Sequence, residues 1–174
     1  SHLEPSTNTS TNEKQKILID KISNTSSEIS QRLSAFIWSL NTDNNNVQNF
    51  SEYVKLYAYK FLDGTEIKFL FSEDIEGIGS KILNGNTRKN LFFSIKEILN
   101  NSVKHAEATT IKMTLSSLDR KALLITIQDN GKGMLENNKF GNGLVNIKKR
   151  IAYLKGELKI KSDNGLKISI RIPL

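Results

Sequence analysis

Residues 92–106 read FFSIKEILNNSVKHA and contain His105, the only histidine in the chain apart from the one at position 2. At about 100° per residue, the step of an α-helix, the apolar residues of this stretch and the preceding leucine share one continuous arc. That arc, which we expect to face a core, consists of Leu91, Phe92, Ile95, Ile98, Leu99, Val103 and Ala106. The opposite arc carries Glu97, Asn100, Asn101, Lys104 and His105, in which Glu97, Asn101 and His105 are successive i, i+4 neighbours. The stretch therefore predicts an amphipathic helix.

The polar arc of this helix differs from an ordinary solvated helix face. Such a face usually mixes long lysine and glutamate side chains, whereas adjacent asparagines are poor helix formers and lower helix stability. The pattern therefore favours a functional face. His105 could serve there as a catalytic residue, a metal ligand, a phosphate carrier or simply a polar helix residue, and the helix alone leaves these alternatives open.

The segments around this helix predict a mixture of strands and helices. Strands are expected at 66–72, 109–117, 122–129, 157–162 and 166–174, and further helices at 13–40, 47–62 and 143–155. Because strands and helices do not alternate regularly, we expect an α+β fold. It would be a two-layer sandwich of a mixed β-sheet covered on one face by helices, preceded by a long N-terminal helix.

The N-terminal part of the chain predicts a separate element. Residues 1–12 are polar and aperiodic, so we expect a disordered segment that includes a tag remnant. Within 13–40, a heptad seam is formed by Ile19, Ile22, Ser26, Ile29, Leu33, Phe36 and Leu40. It indicates a dimerising or bundle helix, although packing on the core of its own domain fits the spacing equally well. The turn-forming residues at 41–46 predict a linker before a second domain, 47–174.

The composition of the 174-residue chain limits the metal sites and nucleophiles that it can form. The absence of cysteine excludes disulfides, thiolate zinc sites and cysteine nucleophiles, and two histidines disfavour a histidine-rich metal site. Any metal is expected to be a hard cation held by oxygen. No run of about 18 apolar residues predicts a membrane span.

The net charge of +7 suits nucleic acid, a polyphosphate ligand or an acidic partner. Basic residues are scattered along the sequence without interleaved aromatic residues, so we expect no nucleic-acid binding. We also expect no direct membrane contact by this part of the protein.

Two glycine-rich segments follow the central helix. In QDNGKGM (128–134), Asp129 leaves a strand and meets Gly131 and Gly133. Glycines allow close backbone approach, and a strand-end carboxylate can accept a hydrogen bond from an amino group such as that of adenine. In GNGLVNIKKR (141–150), Gly141, Gly143 and Leu144 open a helix whose free N–H groups could hold phosphates. Each motif alone is weak, because a common turn or a flexible helix entry would look the same.

Taken together and in this order, the three segments resemble the ATP-binding fold shared by sensor histidine kinases, gyrase, heat-shock chaperones and mismatch-repair ATPases. The series Glu97, Asn101, Lys104, His105 and Ala106 is similar to the asparagine box of bacterial two-component histidine kinases of the short-lid type. Residues 37–41 and 49–62 also resemble the join between the dimerisation and catalytic domains of those kinases. The resemblance covers roughly residues 13–174.

The resemblance implies a role for each motif residue. Asn101 would coordinate Mg²⁺ that bridges the ATP phosphates, and Asp129 would hold the adenine amino group. Gly131 and Gly133 would shape the adenine pocket, and Gly141, Gly143 and Leu144 would let the lid reach the phosphates. Lys104 and His105 would lie near the phosphate tail. Glu97 would polarise the attacking group or support the metal. The lid, Met134 to Lys139, would be short.

Two features depart from the family pattern. The usual Gly-Thr near the C-terminus is replaced by Gly165-Leu166, and no acceptor histidine lies on a dimerisation helix. We therefore expect the chain to be a fragment, with the second helix of a dimerisation and phosphoacceptor domain (13–40) joined to an ATP-binding catalytic domain (47–174).

The implied function is that of a protein-histidine kinase. It would transfer the ATP γ-phosphoryl group to a histidine outside the fragment, for relay to a response regulator. The parent would be a cytoplasmic homodimer, and whether it is membrane-anchored is left open. The alternatives are an ATP-hydrolysing conformational machine of the same superfold and a degenerate nucleotide-binding scaffold without catalysis.

Overall fold

A computed structural model describes residues 8–40, 45–133 and 142–174. The chain divides into two compact units, one ending at Trp38 and the other beginning at Ser39. Helix α1 (Asn8–Leu40), whose last two residues are counted with the second unit, begins inside the segment predicted to be disordered. The apolar seam starts only further along, but backbone hydrogen bonds can extend a helix into polar residues at little cost per residue.

Helix α1 exposes much of its apolar seam. Ile19, Ile22, Ile29 and Leu33 are each 56–67% exposed. Of the predicted linker, residues 41–44 lie outside the described part of the chain. Within the three described ranges, no helix is both long and apolar enough to cross a membrane.

The second unit is built on one five-stranded sheet. Its elements are α2 (Val47–Leu62), β1 (Lys68–Asp74), α3 (Gly85–His105), β2 (Thr110–Leu118), β3 (Ala122–Asp129), α4 (Asn142–Tyr153), β4 (Glu157–Ser162) and β5 (Leu166–Pro173). The strand order is β1-β2-β3-β5-β4, with β1 parallel to β2 and the other neighbours antiparallel. The predicted α+β class with a mixed sheet and a preceding long helix is confirmed.

The core lies between the helices and one face of the sheet. Alternate residues of the three inner strands are buried, namely Ile111, Met113 and Leu115 on β2, Leu123, Ile125 and Ile127 on β3, and Ile168, Ile170 and Ile172 on β5. The register places these residues directly opposite one another, so they share one face. Helix α3 buries its predicted apolar arc, apart from Val103, which is half-buried.

Aromatic contacts join the three helices of this unit. The rings of Tyr53 and Tyr57 on α2 lie 5.3 and 4.8 Å from that of Phe92 on α3, measured between centroids. The guanidinium of Arg150 on α4 lies 5.3 Å from the ring centre of Phe93. Burial, together with neighbouring Tyr53, raises the pKa of Tyr57 above its usual range, so this phenol stays neutral. Helix α3 is thereby held between α2 and α4.

The sheet face turned away from the helices is basic. It carries Lys68, Lys112, Lys159, Lys161, Lys167 and Arg171 against Asp74 and Glu157, and the Arg171 guanidinium donates to the Glu157 carboxylate at 3.1 Å. Lys161 and Lys167 face each other directly across β4 and β5. Charges that look scattered along the sequence are therefore gathered on one surface, because alternate strand residues share a face.

Candidate functional site

The site is centred on Asp129, the last residue of β3. Asp129 pairs with Ile111, so its side chain lies on the helix-covered face, and the residue is only 2% exposed. Its Oδ1 accepts hydrogen bonds from the backbone N–H groups of Gly131, at 3.1 Å, and Leu166, at 3.0 Å. Its Oδ2 accepts one from the Ser102 hydroxyl at 2.8 Å. In the part of the chain that the structure describes, no ion pair to Asp129 is found, so hydrogen bonds stabilise this buried carboxylate.

Ser102 is a site residue that the sequence analysis missed. It lies on α3 within the apolar arc and is 3% exposed. Its spacing of four residues from both Ile98 and Ala106 is a signal that could have identified it. A hydroxyl in the middle of a buried arc must find a hydrogen-bond partner, and here the partner is Asp129.

Glycines allow the loops around Asp129 to pack closely. A Cβ on Gly131 would lie 2.1 Å from the Ala106 carbonyl oxygen, and one on Gly165 would lie 2.0 Å from the Asp129 carbonyl oxygen. Gly165 also has a φ of +112°, which side-chain-bearing residues rarely adopt. In the sequence, Gly165 stands out only as part of the departure from the family motif, whereas in the structure it packs on the backbone of Asp129.

A second network ties the loop after β3 to the end of α3. The Asn130 Oδ1 accepts from the N–H groups of Thr109, at 2.9 Å, and Thr110, at 2.8 Å. The Lys132 N–H donates to the Ala106 carbonyl at 2.9 Å, and Lys132 Nζ lies 2.7 Å from Glu107 Oε1. The hydrogen bond from Lys132 and its positive charge lower the pKa of Glu107. These contacts hold the turn that carries Gly131 against α3.

The polar arc of α3 leads from the surroundings of Asp129 towards α4. Asn101 and Glu97 are half-buried, whereas Lys104 and His105 are exposed. A Cβ on Gly143 would lie 2.1 Å from Glu97 Oε1, so the Glu97 carboxylate lies against the first turn of α4. A negative charge is favourable at a helix N-terminus. The same helix therefore brings Glu97 to α4 and Ser102 to Asp129.

The structure describes residues on either side of the predicted lid. Leu144 follows Gly143 in the first turn of α4 and is half-buried. Gly133 has a φ of +69°, and a Cβ there would lie 2.5 Å from Ser162 Oγ. Gly141 and the predicted lid residues Met134 to Lys139 lie outside the described residues.

Fold and site together define an α+β domain of the nucleotide-binding class, with a buried strand-end carboxylate enclosed by glycine turns. The model of the histidine kinase-, DNA gyrase B- and HSP90-like ATPases matches residues 86–174, and the chain belongs to this family. The matched region begins in α3 and includes every site residue described above.

Similar proteins in several bacteria are sensor histidine kinases. The sensor histidine kinase DesK of Bacillus subtilis is 32% identical over 116 residues, which are 66% of this chain and 30% of DesK. The histidine-protein kinase/phosphatase DegS of Brevibacillus brevis is 38% identical over 88 residues, 48% of this chain and 22% of DegS. The chain thus spans less than a third of these relatives. It contains an ATP-binding catalytic domain of the histidine kinase type.

A solved structure shares the fold. The histidine kinase domain of the blue-light activated histidine kinase EL346 from Erythrobacter litoralis superposes with a TM-score of 0.62 at 19% identity. The superposition covers 91% of this chain and 84% of that domain. This likeness concerns the fold.

Proposed function

We propose that this chain is the catalytic part of a protein-histidine kinase, which transfers the γ-phosphoryl group of ATP to a histidine side chain outside the chain. The phosphoryl group would then pass to a response regulator. The proposal is supported by the family match and by relatives that are named sensor histidine kinases. The observation that carries it is the buried carboxylate of Asp129, which is satisfied by hydrogen bonds and has acceptor capacity left.

At the adenine end of the site, Asp129 would accept a hydrogen bond from the 6-amino group. An ionised carboxylate offers about four acceptor positions. Three are taken by the Ser102 hydroxyl and the N–H groups of Gly131 and Leu166, which leaves about one. Because these three donors hold the carboxylate in place, its remaining acceptor is preorganised for the ligand.

Leu166 is compatible with this role. The family usually has threonine at this position, and its replacement by leucine is the feature of the sequence that most favours a degenerate scaffold. The contact that Leu166 makes to Asp129 uses its backbone N–H, which every residue except proline can supply. The replacement therefore leaves the support of Asp129 intact, and this favours nucleotide binding.

At the phosphate end, the polar arc of α3 would face the triphosphate. Among the described residues, no three His, Asp or Glu side chains lie close enough to hold a metal ion by themselves. Asn101 would hold Mg²⁺ through its side-chain oxygen, a neutral oxygen donor of the kind that this hard cation accepts. When bound, Mg²⁺ would neutralise phosphate charge. The exposed Lys104 would add positive charge beside the same phosphates, and His105 would lie next to them.

Phosphoryl transfer needs mainly positioning and charge neutralisation, so no covalent nucleophile from this chain is required. Glu97 would accept a hydrogen bond from the attacking imidazole and hold its ring in line with the γ-phosphate. The contact between Glu97 and Gly143 would couple this base to the start of α4, which follows the lid. Asp129 and Asn101 would then act on opposite ends of one nucleotide.

A phosphoryl-transfer experiment tests the proposal. The chain is incubated with radiolabelled Mg·ATP and a separately supplied dimerisation domain that carries the acceptor histidine of the parent protein. We expect acid-labile label on the supplied domain and none on the chain. Steady ATP hydrolysis without transfer would favour the conformational machine, and absence of Mg·ATP binding would favour the scaffold.

The variant His105→Gln extends this experiment. His105 lies one helical turn from Asn101 on the same arc and so belongs to the wall of the site, which makes in-line attack on the bound nucleotide unfavourable. We expect the variant to transfer more slowly by a few-fold, because replacing the imidazole with an amide perturbs the surroundings of the phosphates. Label on the chain itself that disappears in His105→Gln would make His105 the phosphate carrier and contradict the assigned role.

We further propose that the exposed seam of α1 packs against a partner helix in a homodimer of the parent protein. Exposed apolar side chains one to two turns apart favour such association.

Light scattering at high concentration is expected to show that the chain self-associates. The double variant Ile22→Gln with Ile29→Gln should reduce this self-association. The matched control, Asn24→Gln with Ser27→Gln on the opposite side of α1, should leave it unchanged. A strictly monomeric chain with well-protected α1 amides in hydrogen exchange would contradict the bundle assignment.

A further inference from the structure

The hydrogen bond between Ser102 and Asp129 joins two elements of the candidate site. The residues are 27 positions apart in sequence, both are almost fully buried, and the distance from Ser102 Oγ to Asp129 Oδ2 is 2.8 Å. Ser102 is the only side chain that donates to this carboxylate in the described part of the chain. We propose that Ser102 is a positioning residue that makes the base pocket selective for a 6-amino purine. The proposal rests on the proposed function and deepens it.

The selectivity follows from the placement of one proton. A serine hydroxyl has a single proton and two acceptor positions, and here Asp129 receives the proton. An ionised carboxylate has no proton to donate. The pair therefore presents only acceptors to a ligand. The 6-amino group of adenine can donate to it, whereas the 6-carbonyl of guanine would place an unpaired acceptor against a buried carboxylate.

A purely structural role for this hydroxyl is less consistent with the helix. The same helix has a second buried serine, Ser94, whose hydroxyl donates to the carbonyl of Asn90 one turn back, at 2.9 Å. That local bond is the usual way for a helix to satisfy a buried serine. The Ser102 hydroxyl instead crosses to the end of β3, where it holds Oδ2 while two backbone N–H groups hold Oδ1. The carboxylate is thereby held at both of its oxygens.

The experiment compares two ligands that differ only in the 6-amino group, ADP and purine riboside diphosphate, each with Mg²⁺. Isothermal titration calorimetry gives their affinities for the wild-type chain and for Ser102→Ala. We expect Ser102→Ala to weaken ADP binding by about tenfold. The same variant should change the affinity for purine riboside diphosphate by less than about twofold. GDP should bind the wild-type chain more weakly than either ligand.

Two further variants control for folding and for the loss of any buried hydroxyl. Ser94→Ala removes a buried hydroxyl from the same helix and should leave both affinities unchanged. Ser102→Thr keeps the donor and should retain the wild-type ratio of the two affinities. If Ser102→Ala does not fold, Ser102→Cys has a similar shape and a weak donor, and should show the same selective loss to a smaller degree.

The possible outcomes separate this proposal from the proposed function. If Ser102→Ala loses affinity equally for both ligands, the role of Ser102 is structural. If its ADP affinity is unchanged, Ser102 has no role in binding. Either result overturns the proposal. If the wild-type chain binds neither ADP nor ATP, the proposed function itself fails. If the wild-type chain binds ADP but does not prefer it to purine riboside diphosphate, only the selectivity of the Ser102–Asp129 pair is refuted.

Discussion

Replacement of Asp129 by asparagine is expected to weaken binding of Mg·ATP by about tenfold to a hundredfold, because a charge-assisted hydrogen bond to the adenine amino group is lost. The new side chain has nearly the same size, so the pocket keeps its shape. Its amide nitrogen, however, carries protons and cannot accept from the 6-amino group. Calorimetric titration of the two proteins with Mg·ATP measures the difference directly.

The control for this variant is Asp119→Asn in the turn between β2 and β3. Asp119 is exposed and has a φ of +52°, a conformation that asparagine tolerates well. It lies beyond the end of β3 remote from Asp129, because β3 begins at Ala122 and ends at Asp129. The same charge is removed without a contact to the pocket, so the affinity should be unchanged. Equal affinities of wild type and Asp129→Asn would remove Asp129 from the base site.

Replacement of Gly165 by alanine is expected to lower the free energy of unfolding by about 3 kcal/mol or more. Two costs add in this variant. The added Cβ would lie 2.0 Å from the Asp129 carbonyl oxygen, which is backbone and cannot rotate away, and the φ of +112° disfavours any side chain. Urea unfolding followed by circular dichroism gives the change in stability. Nucleotide affinity should fall as well, because the start of β5, which carries Leu166, must shift to relieve the overlap.

Gly64→Ala separates these two costs. Gly64 also has a positive φ, +77°, but nothing lies within 4 Å of the Cβ position. We expect a loss of about 1 kcal/mol, which is the conformational cost alone. If Gly165→Ala is no more destabilising than Gly64→Ala, the close packing of the β4–β5 loop on Asp129 is not a feature of the protein in solution.

Periodicity in the sequence predicted most of the fold. The two-residue period of the strands and the helical spacing of α2, α3 and α4 are local properties, and they persist because each element buries the face that its pattern marks. The helix predicted at 47–62 has these bounds in the structure, and the strand predicted at 122–129 is β3. The sequence also predicted a nucleotide-binding site, because residues similar to an asparagine box and two glycine motifs occur in the order expected for the family.

The partners of Asp129 could not be read in this way. The Ser102 hydroxyl and the Leu166 N–H lie 27 and 37 positions away in sequence, and only the assembled sheet and helix layer bring them to one carboxylate. The same holds for Asn130, whose side chain closes the loop on Thr109 and Thr110.

The sequence by itself determined which elements form, which faces they bury and which motifs they carry, because these depend on neighbours within a turn or a strand. The tertiary structure alone decided that a serine in an apolar arc donates to Asp129, that Gly165 packs on the backbone of Asp129, and that six basic residues share the open face of the sheet. Such contacts depend on strand register and helix packing, which bring together atoms that no local pattern relates.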